Sequence, residues 1–316
     1  MGFFSSIFGS HEVSEANKFD TLRDDGVRAM QMGEMPYAEK CLKAALELQH
    51  DLKAVGFLAE VYLRMQKYAE ALPLLQELHE ADADNVEVAL LLAQTQGHLE
   101  QFEAERTTCQ SILGTKADEP RALYLSAEAD KGLGDVFQAI AHLTQCLQLR
   151  PDYQNAQLLR AQVLAQMGQW AEVLTDAEAL VKVDAENEEY LMLRAQALAA
   201  LGKADEAAAD LQQVISLNPF NRDAVLKLGS LYEQTTRWDK ALALYDEAID
   251  LQPDFAEAFK ARGGVKHHLK DEAGAADDLK HSLELAPEKA QELDGEYTNV
   301  ENEMNDKYTR MNPFQF

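Results

Sequence analysis

The stretch "RWDKALALYDEAIDLQPD", residues 237–254, reads as the second half of a helical hairpin. Leu242, Tyr245, Ala248, Ile249 and Leu251 recur at helical spacing. Pro253 ends the run, because proline brings no N–H and its ring clashes with the preceding turn. Relatives of this stretch lie one step earlier, "KADEAAADLQQVISLNPF" at 203–220, and one step later, "KDEAGAADDLKHSLELAP" at 270–287.

The step is constant. Ala59, Ala93, Ala127, Ala161, Ala195, Gly229 and Gly263 follow one another at intervals of 34, and Gly26 precedes them one residue closer. A column of small residues marks two helices crossing closely, where a larger side chain would hold them apart. A second small column, Ala38, Ala71, Ala139, Ala207, Ala241 and Ala275, departs at Glu105 and Val173. A third column, Pro151, Pro219, Pro253 and Pro287, marks helix ends on the same grid.

This pattern resembles the tetratricopeptide repeat, a helix–turn–helix unit of 34 residues. The resemblance is fullest in "LKLGSLYEQTTRWDKALALYDEAIDLQP", 226–253, through Leu228, Gly229, Tyr232, Trp238, Ala241, Tyr245, Ala248 and Pro253. It implies an all-α chain, a right-handed α-solenoid of stacked helix–turn–helix hairpins, with eight repeats over 19–289. Residues 1–18 are left as an aromatic N-terminal segment. Leu293, Tyr297, Val300, Met304, Tyr308 and Met311 share one face at helical steps, which predicts a capping helix over 290–311 before a tail at 312–316.

Three local departures carry expectations. Glu105 stands where a small residue is expected and Cys109 where a large one is. The second helix of that repeat is expected to end early, at Gly114. Pro73 predicts a mild kink in the second helix of repeat two, or a start shifted downstream.

Composition narrows the function. The net charge of −26 opposes contact with phosphate backbones, so no nucleic-acid partner is expected. Cys41, Cys109 and Cys146 are far apart, odd in number and on helix flanks that face a neighbour. Buried thiols in a reducing, cytoplasmic setting fit them better than disulfides or zinc. Phosphate-loop, dinucleotide, zinc-protease and nucleophile-elbow motifs are missing, so no catalytic residue, cofactor or metal is expected. "DADN" at 82–85 lacks the glycine and closing glutamate of a calcium loop. His267 and His268 are neighbours on one helix, about 100° apart, and read as surface residues.

The resemblance implies a non-enzymatic scaffold that takes a peptide or helix of a partner protein in its concave groove. Its candidate lining comes in pairs on the first helices: Leu90 with Leu91, Tyr124 with Leu125, Leu158 with Leu159, and Met192 with Leu193. One member of each pair is expected in the core, leaving the other to form an apolar stripe. Beside the stripe runs a polar ladder of Glu60, Gln94, Glu128, Gln162 and Gln196, able to bond an extended backbone. Some family members clamp a terminal carboxylate with Lys, Asn and Arg. The matching places here are Arg23, Val27, Lys53, Phe57 and Leu91, and Lys227 and Lys260 are too sparse for a second clamp.

The opening decamer "MGFFSSIFGS" gathers Phe3, Phe4, Ile7 and Phe8 on one face. Three fates stay open for them: docking onto the array, a membrane surface, or disorder. The second would make the chain a peripheral-membrane assembly factor or regulatory subunit tethered by residues 1–10.

Overall fold

The computed structural model of the chain describes residues 15–287, and every regular element among them is an α-helix. The helices come in pairs. The first four pairs are α1 Glu15–Met32 with α2 Met35–Leu48, α3 Leu52–Arg64 with α4 Tyr68–Ala81, α5 Val86–His98 with α6 Phe102–Thr115, and α7 Pro120–Gly132 with α8 Val136–Leu149. The next four are α9 Gln154–Gln166 with α10 Trp170–Val183, α11 Glu188–Ala200 with α12 Ala204–Leu217, α13 Arg222–Gln234 with α14 Trp238–Leu251, and α15 Ala256–His268 with α16 Glu272–Leu285. This is the all-α repeat fold that the 34-residue period predicts. The decamer with Phe3, Phe4, Ile7 and Phe8, and the capping helix predicted over 290–311, lie outside the described residues.

The chain divides into two compact units, 1–163 and 164–316. In the first, Leu42, Leu58 and Leu75 form the start of the core, Leu90, Cys109 and Ile112 the middle, and Leu123, Leu143 and Cys146 the end. In the second, Leu191, Leu211, Leu228, Tyr245 and Phe255 belong to one continuous cluster. All three cysteines are buried.

The small columns are where the helices of a hairpin meet. Gly26 is buried, and a Cβ there would come within 2.7 Å of the Leu42 side chain. At Gly229 it would collide with the phenol of Tyr245. The turn inside each hairpin has its own column, which the small residues do not announce. Gly33, Gln66, Glu100, Gly134, Gly168, Gly202, Thr236 and Lys270 all have positive φ. The residue after each donates its N–H to the carbonyl five positions back, as in Lys67 to Tyr62 at 2.9 Å and Arg237 to Tyr232 at 2.7 Å. That is the Schellman arrangement, which satisfies a carbonyl the helix end would otherwise orphan.

Two of the hairpins in the second unit are stapled internally. Arg194 forks onto Asp210 at 2.8 and 2.6 Å. Arg262 does the same to Asp278 at 2.8 and 2.6 Å, where Lys266 adds a third contact at 2.8 Å. Burial alone would raise the Asp278 carboxyl, but the hydrogen bonds from Arg262 and Lys266 hold it below its ordinary range.

One local expectation is corrected, and one of two alternatives for another is excluded. α6 does not end at Gly114: it runs to Thr115, the same fourteen residues as its counterparts, and the Lys116 N–H closes it on the Ile112 carbonyl at 2.8 Å. Gly114 is not in the left-handed conformation, so it is not a cap. The start of α4 is not shifted by Pro73 either. The helix begins at Tyr68 and carries Pro73 inside it, with Ala71 and Leu75 fixed in the core on either side.

Candidate functional site: a cavity across three hairpins

In the first unit, α5, α6, α7 and the start of α9 enclose a cavity of about 560 Å³. Five residues expected in the groove line it together: Gln94 from α5, Tyr124, Leu125 and Glu128 from α7, and Leu159 from α9. Tyr124 and Glu128 are one helical turn apart, and the Tyr124 hydroxyl donates to Glu128 at 2.8 Å. The Tyr124 and Tyr153 rings lie 5.3 Å apart, tilted by 40°, and make one wall. Arg150 already covers the Tyr153 ring at 4.8 Å.

The cavity also contains Glu105, and the size columns explain its position. In the hairpin of α13 and α14, the crossing is Gly229, Ala241 and the large Tyr245, whose hydroxyl donates to Glu233 at 2.8 Å. The same grid positions in α5 and α6 are Ala93, Glu105, Cys109 and Gly97. A small Cys109 and a side-chain-less Gly97 leave the volume that Glu105 fills. Its carboxylate lies so close over Gly97 that a Cβ there would be 2.6 Å from Oε1. Phe102 is accommodated in the same way over Gly132.

The substitution conserves volume and breaks polarity. Glu105 is 1% exposed, and its Oε2 has no hydrogen-bond partner. Burial first, then the nearby Glu128 and Asp130, push its carboxyl up to about 8, so it is protonated at neutral pH. Burial also raises the Glu128 carboxyl, against the hydrogen bond from Tyr124 and the charge of Lys131. The Cys109 thiol beneath is pushed up to about 12 by burial and by Glu105, which leaves it unreactive.

The remaining expected groove residues are spread out. Leu90, Leu125, Leu159 and Leu193 are buried, while their pair-mates Leu91, Tyr124, Leu158 and Met192 are half-buried. Of the ladder, Gln94 and Gln196 are exposed, and Glu60, Glu128 and Gln162 are half-buried. Glu60 is engaged by Arg64 one turn on. Phe57 joins Arg23, Val27 and Lys53 around a shallow depression of about 460 Å³, where Arg23 is paired with Asp20 and Asp24. In the second unit, Gln196 and Lys227 line a depression of about 310 Å³, and Lys227 is paired with Asp223 at 2.5 Å. Lys260 is exposed. His267 bonds Glu272 at 2.9 Å, while His268 stacks on Trp238 at 4.3 Å. Among the described residues no group of histidine, cysteine and acidic side chains is placed to hold a metal. No described helix is long and apolar enough to cross a membrane.

The fold defines a helical-repeat protein built of successive helical hairpins. Two family profiles, each described as tetratricopeptide repeat, match the chain, one at 62–129 and 132–197 and the other at 192–253 and 226–290. Together they cover well over half of it, and the chain belongs to the tetratricopeptide-repeat family of protein-interaction modules.

Among solved structures, the C-terminal part of a TPR repeat-containing protein from Cytophaga hutchinsonii is similar at a TM-score of 0.64 and 13% identity, over 78% of this chain and 99% of that one. MamA from Desulfovibrio magneticus RS-1, residue 41 to its end, is similar at a TM-score of 0.51 and 19% identity, over 54% of this chain and 96% of that one. At these identities the likeness is one of fold. No curated protein matches.

Proposed function

We propose that this chain is a non-enzymatic scaffold that binds a segment of a partner protein along the face formed by its first helices. The cavity between α5, α7 and α9 is the anchor point. One observation carries the reading: Gln94, Tyr124, Leu125, Glu128 and Leu159, from three successive hairpins, converge on a single cavity. Apolar walls with a few convergent polar groups are the usual composition of a recognition pocket. The exposed amide of Gln94 at the rim suits the backbone of an extended segment, which offers both donors and acceptors.

Photo-crosslinking in the native host tests the reading. A benzoylphenylalanine is placed at Gln94 or Asn155, both exposed and on the cavity rim, or at Gln145, exposed on the second helix α8. Discrete adducts from the first two positions and none from Gln145 are expected. Equal adducts from all three, or adducts from Gln145 alone, would overturn the assignment.

A further inference from the structure

The cavity has a chemical preference that a general peptide groove would not need. We propose that it receives the cationic side chain, lysine or arginine, of the partner segment, with Glu105 and Glu128 as its counter-charges; this rests on the scaffold reading above. The primary observation is Glu105: buried, lining the cavity, and with one carboxylate oxygen lacking any partner. A buried unpaired polar atom is destabilising, and more so when it is charged. Yet alanine, found at this place in most other repeats, would remove that cost.

Most of the neighbouring cations are committed elsewhere. Arg121, also on the rim, reaches Glu87 at 2.8 Å. Arg106 pairs with Glu103 at 2.9 Å and approaches Asp130 at 3.6 Å, while His142 meets Asp130 at 2.8 Å. Asp130 therefore has its partners, and the Glu105 Oε2 has none. Lys131, itself on the cavity lining, acts on Glu128 through its charge and not on Glu105, and His98 is stacked on Tyr68 at 4.2 Å. The walls suit the same guest. Tyr124 and Phe102 offer aromatic rings to a cation and to its aliphatic stem. The net charge of −26 draws basic segments from a distance.

Such a guest would change the protonation of Glu105. Alone, the acid keeps its proton at neutral pH; beside a cation it is stabilised as a carboxylate, so binding near pH 7 releases a proton. Affinity should therefore rise as pH increases from 6 toward 8.5. Asp130 and His142 on α7 and α8 are already paired and His98 on α5 is stacked on Tyr68, so a rise that continues up to pH 8 points to the two cavity acids, Glu105 first.

The test is a titration of the full chain with three probes: Nα-acetyl-lysine methylamide, Nα-acetyl-arginine methylamide, and the uncharged Nα-acetyl-norleucine methylamide. Amide shifts of Gly97 and Gly132, at the floor of the cavity, are followed by NMR. Either cationic probe should saturate these shifts, norleucine should not, and affinity should rise with pH. Glu105→Gln, which keeps the shape and loses the charge, should weaken binding at least tenfold at pH 8.5 and flatten the pH dependence. Glu128→Gln provides an independent variant.

Norleucine binding as well as lysine, or Glu105→Gln leaving the titration unchanged, would overturn the inference. Crosslinks at Gln94 that persist alongside such a result would leave the scaffold reading intact. Saturable cation binding without crosslinks at Gln94 and Asn155 would keep the cation site and remove the partner segment.

Discussion

Burying Glu105 beside Glu128 and Asp130 couples its proton to folding. In an unfolded chain a glutamate ionises near pH 4.3, whereas here the carboxyl holds its proton to about 8. The folded state thus binds an extra proton between these values. This contribution is fully present below the unfolded pKa and is lost as pH rises through the folded one. The loss should amount to about 3–5 kcal/mol. Glu105→Gln, always neutral, should lose this part of the slope and be more stable than the parent at pH 8.5. Urea midpoints from pH 5 to 8.5 check this, and parallel curves for the two proteins would refute it. Glu105 was legible in the sequence only as an oddity, an acid in a column of alanines. What brings it to the cavity wall is its packing over Gly97, eight residues earlier, which the period alone does not relate to it. The left-handed turn column was hidden for a different reason. Half of its members are Gln66, Glu100, Thr236 and Lys270, and composition marks that conformation only when the residue is glycine.

A hairpin is legible from sequence to the extent that its constraints are local. The small-residue columns, the helical period and the prolines two residues past Leu149, Leu217, Leu251 and Leu285 are such constraints, and they place the helices. Gly114 misled, and Pro73 left the start of its helix in place, because the neighbouring hairpins impose a fixed helix length on residues whose own preference is weaker. Packing also decides what each small residue is worth. At Gly229 an added Cβ meets the phenol of Tyr245, which is 1% exposed and hydrogen-bonded to Glu233. At Gly263 it meets only the Ala275 carbonyl oxygen at 3.2 Å and the Asp278 Cβ at 3.4 Å. Gly229→Ala should therefore cost about 1–3 kcal/mol through overpacking. Gly263→Ala should be near neutral, since a gain of up to about 1 kcal/mol in helix propensity offsets a small shift of the neighbour. Denaturation midpoints of the two variants decide between this picture and a uniform small-residue requirement, under which both would fall equally.

At the scale of the whole chain, charge opposes folding and favours the proposed guest. The 29 basic residues cannot neutralise 55 acidic ones, so an excess of 26 acidic charges remains however the ion pairs are arranged. Most of the pairs, such as Arg28 with Asp25 and Lys227 with Asp223, are exposed and contribute little. The dominant surface term is then mutual repulsion among acids, which compacting the chain strengthens. Raising the salt from about 0.01 to 0.1 M shortens the screening length from about 30 to about 10 Å and should relieve it. The melting temperature of the full chain should rise over that range. The same screening should weaken capture of the lysine and arginine probes, because their attraction to the cavity is of opposite sign. Thermal melts and NMR titrations in matched buffers read both effects. A melting temperature that falls with salt would mean that the ion pairs, and not the excess acids, dominate the surface electrostatics of folding.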